Sequence, residues 1–174
     1  MELQVREMRL EETPLVIDYF HSSTPEHLEM LGVDPTRLPP RDVWTSMFKS
    51  QYGLPVAERK GLFVVWLTDG RPIGFSSCDR IVFRKQANMH LHMTEPARRQ
   101  RGIGAQCVRL SVDIYLRAPE ISQLFCEPNA FNIGPNRTLQ RAGFKYMKTH
   151  MTGPGPLNFH QAVNRWLFEP NPSL

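Results

Sequence analysis

The feature that most constrains this chain is a glycine-rich turn, Arg98 to Ala105, that joins a strand pattern to a helix pattern. Before the turn, polar and apolar residues alternate from Asn88 to Thr94, which is typical of a β-strand. After it, apolar residues recur three and four positions apart, as on one face of a helix. These residues are Ala105, Val108, Val112, Tyr115 and Leu116. The sequence therefore predicts a strand that enters a glycine turn and a helix that begins there.

The turn has the chemistry of an anion-binding loop. The first backbone N–H groups of a helix have no partner within the helix, and the aligned peptide dipoles add positive potential there. Gly102 and Gly104 lack the Cβ atoms that would hold an anion away. Positive charge is added nearby by Arg98, Arg99 and Arg101. We therefore predict that this loop binds a phosphate group.

The known dinucleotide and nucleoside-triphosphate loops do not match this turn. The dinucleotide fingerprint needs a third glycine where this chain has Cys107, and no Gly-Lys-Ser/Thr follows the glycines. The spacing of Arg99, Gly102 and Gly104 instead resembles the acyl-coenzyme A loop of the GNAT superfamily of N-acetyltransferases. An ordinary strand-to-helix turn is the alternative that the loop alone leaves open.

A second segment, Asn132 to Phe144, resembles another part of the same superfamily. In that superfamily an asparagine opens a helix beside the cofactor, and a Gly-Phe pair, here Gly143 and Phe144, starts the next strand. The resemblance extends over roughly residues 60 to 168. Because this segment lies at a suitable distance downstream, it strengthens the interpretation of the glycine turn as an acyl-coenzyme A loop.

The resemblance implies a mixed α/β (α+β) fold, with a mostly antiparallel central sheet of about seven strands flanked by about four helices. The residue pattern is compatible with this order. It predicts strands over residues 3–8, 61–68, 72–83, 87–94, 123–127, 144–152 and 161–168, and helices that begin near Pro14, Glu26, Arg41, Gly104 and Asn132. At 174 residues the chain is expected to form a single domain over residues 1–174, with 169–174 as a loose tail.

The resemblance also implies an activity, the acetyl-CoA-dependent transfer of an acetyl group to a primary amine of a small molecule or protein. Backbone groups of Met93 and Thr94 are then expected to pair with the pantetheine amides, and Asn132 to contact the pantetheine arm. Backbone N–H groups of the turn are expected to hold the pyrophosphate, from Arg99, Gln100, Arg101, Gly102, Ile103, Gly104 and Ala105.

Two histidines on the strand before the turn are the predicted catalytic residues. A lysine-like amine must lose a proton before it attacks, which costs about 4 to 5 kcal/mol at pH 7. Alternation places His90 and His92 on one strand face with Asn88 and Thr94, and their reference pKa lies near neutrality. The resemblance implies that His90, and secondarily His92, serves as the base or as part of a water relay. The alternative is that both are hydrogen-bonded sheet residues. A metal is not expected, because no third ligand has a convincing spacing.

One position departs from the superfamily pattern. Many members carry a tyrosine four residues before the Gly-Phe glycine, where it protonates the leaving thiolate, but this chain has Leu139 there. The departure keeps a second hypothesis open, a non-catalytic acyl-CoA-binding regulatory module. The acceptor site is expected from the segments Ser22–Lys60 and Gly153–Phe159. There Trp44, Phe48 and Tyr52 either line an acceptor pocket or simply pack their helix onto the sheet.

Composition restricts the remaining classes of function. The net charge of +4 and pI near 9.2 suit anionic ligands, but aromatic residues are not interleaved with the basic ones, so nucleic-acid binding is not expected. The longest apolar run, Leu62 to Leu67, is too short for a membrane helix, and the N-terminus has no signal-peptide pattern. Three cysteines without close spacing indicate a reducing compartment. We therefore predict a cytoplasmic protein, with a homodimer as a possible assembly.

Overall fold

A computed structural model describes residues 2–95 and 102–170 of the chain. Within these ranges the chain forms one sheet of seven strands and five α-helices. The strands are β1 (Leu3–Glu7), β2 (Leu62–Thr68), β3 (Arg71–Val82), β4 (Gln86–Met93), β5 (Gln123–Cys126), β6 (Lys145–Thr152) and β7 (Gln161–Phe168). The helices are α1 (Pro14–His21), α2 (Pro25–Leu31), α3 (Arg41–Tyr52), α4 (Ile103–Arg117) and α5 (Ile133–Ala142).

The strands lie side by side in the order β1-β2-β3-β4-β5-β7-β6. Every neighbouring pair is antiparallel except β4 and β5, which run parallel. The predicted mixed, mostly antiparallel sheet of seven strands is therefore confirmed. The expectation of about four flanking helices agrees with the five α-helices observed, among which is the short α2 that the sequence predicts near Glu26. Thr24 caps its first turn, Pro25 fits that turn, and Gly32 ends it with a φ of +70°.

The two faces of the sheet are covered by different helices. On one face α4 and α5 bury a core that includes Trp66, Met89 and Tyr115. Two buried hydrogen bonds join α4 to this face, from Trp66 Nε1 to Ser111 Oγ and between Tyr115 and Ser76, each 2.8 Å long. On the other face α1, α2 and α3 cover a second core. None of the helices in residues 2–95 and 102–170 is long and apolar enough to cross a membrane.

The sheet separates where β4 and β5 diverge. The two strands pair from Gln86 to Met89, and the last pair joins Met89 to Cys126. Beyond that pair, β4 continues to Met93 along β3, whereas the chain after β5 follows β7 instead. There the Asn164 N–H donates to the Pro128 carbonyl over 3.1 Å. A crevice therefore opens between the second half of β4 and the segment after β5.

Two irregularities in β3 shape its neighbourhood with β4. At Gly74 an added Cβ atom would lie 2.5 Å from the backbone oxygen of His92, so the close approach of the two strands requires a glycine, and the register between β2 and β3 shifts beside it. Further along, the register between β3 and β4 shifts between Asp79 and Val82, where Arg80 has a φ of +49°. Such bulges re-aim the adjacent side chains.

Candidate active site

His90 meets a carboxylate from the neighbouring strand. Its Nε2 atom lies 3.2 Å from Oδ1 of Asp79, which is the residue before the β3 bulge. Both atoms are buried, and neither forms a well-aligned hydrogen bond within the described parts of the chain. A carboxylate at this distance favours the neutral tautomer of the ring that carries its proton on Nε2. This leaves Nδ1 as the proton-accepting atom of His90.

A loop between β6 and β7 covers the His90 ring. At Gly155 an added Cβ atom would lie 3.3 Å from His90 Cε1 and 2.8 Å from Asn158 Oδ1, so only a glycine fits comfortably between them. The Arg80 guanidinium, beside the bulge, donates to the Gly153 carbonyl over 3.0 Å and ties this loop to β3. The bulge therefore helps to position both Asp79 and the loop over His90.

His92 occupies a different environment from His90, although alternation places both on the same face as predicted. Its ring packs 4.9 Å from Phe75 and 5.1 Å from Phe20, measured between centroids, and its Nδ1 atom is buried with no hydrogen-bond partner in the described residues. Burial, reinforced by the nearby His90, lowers the pKa of His92 to about 3. A ring with that pKa is a weak base at neutral pH, so the structure does not favour a proton relay through both histidines.

Aromatic rings line a cavity of about 790 Å³ on the face that His90 and His92 share. Trp44 and Phe48 are buried in the second core, so they pack α3 onto the sheet, and they also line this cavity. That the cavity receives an acceptor stays a prediction. Tyr52 lines it as well, while its hydroxyl donates to the Met8 carbonyl over 2.7 Å. Burial raises the pKa of Tyr52 to about 12, so this phenol is a hydrogen-bond donor rather than a base.

The same cavity continues into the crevice between β4 and β5. It is lined on one side by Met89 and Leu91 and on the other by Cys126, Glu127 and Asn132. We call the part of the cavity lined by Trp44, Phe48 and Tyr52 the groove. The groove and the crevice are therefore one connected space, with His90 on its wall. An extended ligand in the crevice and a second ligand in the groove would meet beside His90.

The backbone groups predicted to bind a ligand lie at or just after the end of β4. Met93 lies on β4 beyond the last residue that pairs with β5. The Thr94 N–H, however, already donates to the Ile73 carbonyl over 3.0 Å. The Thr94 N–H points towards β3 and therefore away from the crevice, which lies on the other side of β4. Successive backbone groups of a strand point to opposite sides. The Thr94 N–H is therefore used within the sheet, and the pairing of Met93 and Thr94 backbone groups with a ligand stays a prediction.

Helix α4 begins at the glycine turn as predicted. Gly102 has a φ of +73° at the N-cap position, and apart from its chain neighbours no atom of residues 2–95 or 103–170 would lie within 4 Å of a Cβ added there. An added Cβ at Gly104 would contact the ends of Met93 and Thr138 at 3.6 to 3.8 Å. The helix N-terminus, with Ile103 and Ala105, is thus placed beside the end of β4. The predicted ligands Arg99, Gln100 and Arg101, together with Arg98, lie outside the described residues.

Asn132 stands at the N-cap position of α5, but its side chain forms no cap hydrogen bond. Its amide instead donates to the Met30 carbonyl over 3.3 Å, and the residue lines the cavity. Asn132 therefore marks the start of α5 by its position, while its side chain makes a tertiary contact and not a cap hydrogen bond. The neighbouring Asn136 has a structural role, because its Oδ1 atom accepts hydrogen bonds from Asn164 and Trp166.

Leu139 is fully buried in the core beneath α4, so this position supplies no proton donor. Tyr146 is half-exposed on β6, where its hydroxyl pairs with Thr149.

Cys126 lines the crevice, but burial raises the pKa of its thiol well above the usual range and makes it a poor nucleophile. Glu127 is held by Arg165 at 2.9 Å and His150 at 3.1 Å. No general acid for a thiolate emerges among these side chains.

Sequence reasoning missed Asp79 and Gly155. Asp79 pairs with Asn88 across the β3–β4 ladder, two residues from His90, and that register depends on a bulge with no glycine or proline to mark it. Gly155 is one of several loop glycines, and nothing in the sequence shows which of them meets His90. No group of three histidine, cysteine, aspartate or glutamate side chains in the described ranges could hold a metal ion.

Comparison with known proteins identifies the domain. A family model described as "Acetyltransferase (GNAT) domain" matches residues 2–145. No protein of curated function matches the sequence significantly.

Solved structures share the fold at low sequence identity. A ribosomal-protein-S5-alanine acetyltransferase from Vibrio fischeri has a TM-score of 0.76 at 12% identity, covering 99% of this chain and 95% of that one. A spermidine N-acetyltransferase from Vibrio cholerae, in complex with CoA and spermine, has a TM-score of 0.76 at 11% identity, with coverage of 96% and 95%. An aminoglycoside acetyltransferase in complex with coenzyme A and kanamycin has a TM-score of 0.69 at 15% identity, with coverage of 97% and 95%. The TM-scores show that these proteins share the fold of this chain.

Proposed function

The chain belongs to the GNAT acetyltransferase family, and on that premise we propose that it is an acetyl-CoA-dependent N-acetyltransferase in which His90 is the base. The observation that carries the proposal is the pairing of His90 with Asp79 at 3.2 Å on the wall of one continuous cavity. The crevice between β4 and β5 supplies room for the cofactor, and the groove supplies room for the amine.

The reaction needs the amine to be neutral when it attacks the thioester carbonyl carbon. As the new C–N bond forms, the proton on the amine passes to Nδ1 of His90, directly or through water. The negative charge of Asp79, beside Nε2, stabilises the imidazolium that results. The C–S bond then breaks and the thiolate leaves. Because Leu139 has no proton to give, the imidazolium of His90 is the proposed source of the proton that neutralises the thiolate.

The cofactor is proposed to be acetyl-CoA, with its pantetheine arm in the crevice along Met93 and beside Asn132. Its pyrophosphate is assigned to the N-terminus of α4, because the first N–H groups of a helix lack helical partners. Gly102 to Gly104 are the proposed donors there, since the Ala105 N–H already donates to the Gly102 carbonyl over 3.2 Å. Arg99, Gln100 and Arg101 stay predicted contributors to that phosphate site. His92 is proposed as a wall of the groove rather than as a second base.

A second candidate function is a non-catalytic acyl-CoA-binding module. The observation in its favour is that Leu139, at the position of the usual tyrosine, is fully buried and cannot protonate a thiolate. The paired His90 and Asp79 favour the enzyme, because a binding module has no use for a positioned base.

The acceptor is an amine-bearing substrate, either a small molecule or a protein. Spermine and kanamycin accompany CoA in two of the related structures, so several amine classes suit this fold. We propose that the chain acts as a single domain in the cytoplasm, where its three cysteines, all buried and free, would stay reduced. A homodimer stays a prediction that light scattering of the purified protein would test.

The function is tested by combining a binding measurement with a turnover assay. Acetyl-CoA is titrated calorimetrically, and free thiol is then followed spectroscopically when a panel of primary amines is added. The enzyme predicts both binding and thiol release, with release that depends on the amine and is lost in the His90→Gln variant. Tight binding without release for any amine supports the binding module, and no binding at all contradicts both.

A further inference from the structure

We propose that the acceptor is a small monoamine whose amino group is attached to an aromatic or bulky aliphatic body. This inference rests on the proposed function and narrows its substrate class. It follows from three properties of the groove: an unbroken aromatic wall, exposed apolar side chains at its rim, and carboxylates that are already paired.

The aromatic wall leads directly to the site of chemistry. Neighbouring rings stand 5.1 Å apart between His92 and Phe20, 5.6 Å between Phe20 and Trp44, 6.4 Å between Trp44 and Phe48, and 5.0 Å between Phe48 and Phe63. All of these residues line the cavity that also contains His90. Binding of an apolar ligand to such a surface is favourable because it removes apolar area from water. The rings also offer edges and faces for stacking.

The rim of the groove exposes apolar side chains to solvent. Val43 and Met47 lie one turn apart on α3, line the cavity, and are 46% and 53% exposed. Exposed apolar side chains beside a concave apolar surface are typical of a ligand-binding groove. They extend the contact surface for an apolar body beyond the buried rings.

Two carboxylates line the cavity in the described parts of the chain, one beside His90 and one at the crevice, and both already contact basic side chains. Asp79 faces His90, and Glu127 pairs with both Arg165 and His150. A polycationic acceptor needs a separate carboxylate for each ammonium group that it buries, since an unpaired buried charge is costly. Lys60 adds a positive charge to the same lining. The groove therefore disfavours polycations and suits an amine with a single charge.

One boundary of the groove is closed by the chain itself, which favours a short ligand over a polypeptide. The β6–β7 loop is joined to the segment after α2 by several hydrogen bonds, and both segments line the cavity. The Asp34 N–H donates to Leu157 over 2.8 Å, Arg37 donates to the Asn158 carbonyl over 2.7 Å, and the Asn158 amide donates to Gly32 over 3.0 Å. An extended chain would have to break these bonds to pass.

The test measures acceptor binding separately from turnover. Calorimetric titrations of the protein saturated with coenzyme A compare 2-phenylethylamine, hexylamine, spermidine, kanamycin and a hexapeptide with a free N-terminus. We expect 2-phenylethylamine and hexylamine to bind at least about tenfold more tightly than the other three. In the thiol-release assay with acetyl-CoA, the same order is expected in kcat/KM.

A surface variant links the preference to the groove. Met47→Glu introduces a carboxylate at the apolar rim, and Met147→Glu is its control, because Met147 is equally exposed, at 53%, on β6. Met47→Glu is expected to weaken 2-phenylethylamine binding about tenfold and to leave coenzyme A binding unchanged, whereas the control changes neither. The inference is overturned if spermidine, kanamycin or the peptide binds more tightly than the apolar amines, or if Met47→Glu has no effect. Selective binding without thiol release would instead overturn the proposed function alone.

Discussion

The crevice and the groove share one cavity but are built in different ways. The crevice arises from backbone features: the divergence of β4 from β5 after Met89 and the N-terminus of α4 at Gly102. The groove is built from side chains that come from α1, α3, β2, β3 and the β6–β7 loop. A site formed by backbone groups still binds its ligand when side chains change. The specificity of a site formed by side chains, in contrast, changes with each substitution. His90 lies where the two regions meet.

The largest effect is expected where the two regions meet, at His90. His90→Gln removes the proposed base and should lower kcat by roughly 100- to 10,000-fold while acetyl-CoA binding stays unchanged. The matched control is His92→Phe, which keeps an aromatic ring in the groove wall and should change kcat by less than about threefold. Steady-state kinetics of the thiol release checks both variants. Equal losses in the two variants would contradict the assignment of the base to His90.

The next effect concerns the crevice alone. Gly102→Glu places a carboxylate at the proposed pyrophosphate site and should weaken acetyl-CoA binding by about 100-fold or more, because like charges repel. Gly70→Glu is a matched control, since Gly70 also has a positive φ, +75°, and no described atom beyond its chain neighbours within 4 Å of an added Cβ, but it lies in the β2–β3 turn. Calorimetry should show normal binding by the control. If both variants bind acetyl-CoA like the unmodified protein, α4 does not hold the phosphates.

A smaller effect separates the groove from the crevice. Gly155→Val adds atoms that would meet His90 and Asn158, so it should raise the KM for the amine about tenfold. Gly153→Ala is the control, because its Cβ would make an ordinary contact of 3.7 Å with the Asn158 carbonyl. The affinity for acetyl-CoA, measured by calorimetry, should stay unchanged in both. A loss of acetyl-CoA affinity in Gly155→Val would show that the two regions are not independent.

The smallest effect concerns stability and the pH. The pKa of His92 is depressed from 6.5 to about 3 in the folded chain, so the unfolded chain binds a proton that the folded chain does not. The contribution of His92 to the free energy of unfolding is therefore constant above about pH 6.5. The free energy of unfolding decreases as the pH falls from 6.5 towards 3. At pH 5.5 the loss should be about 1 kcal/mol. Urea unfolding at pH 7.5 and 5.5 should show this loss in the unmodified protein and a smaller one in His92→Phe; an equal pH dependence would contradict the buried neutral ring.

The contrast between the crevice, formed by backbone features, and the groove, formed by side chains, also explains how much of the structure the sequence could predict. The turn at Gly102, the helix after it and the alternation of His90 and His92 follow from local patterns, and local patterns are what a single sequence displays. The seven strands were predicted for the same reason, with boundaries that differ from the structure by at most one residue. The family resemblance rested on these backbone features.

The groove could not be predicted in the same way. Asp79 reaches His90 through a cross-strand register that is shifted by a bulge, and Gly155 reaches it from a loop more than sixty residues downstream in the sequence. Asn132 had the residue type of a helix cap, but a tertiary contact to Met30 uses its amide instead. The Thr94 N–H donates to a β3 carbonyl, a contact between strands that the sequence does not display. Each of these outcomes depends on long-range packing, which no local pattern specifies.

The measurement that tests the account most directly is a double-mutant cycle in kcat between Asp79 and His90. Asp79→Asn, His90→Gln and the double variant are compared with the unmodified protein at saturating acetyl-CoA and amine. If Asp79 acts through His90, the double variant should lose no more activity than His90→Gln alone. Losses that multiply would mean that the two residues act independently, and an unchanged kcat in His90→Gln would contradict the assignment of the base.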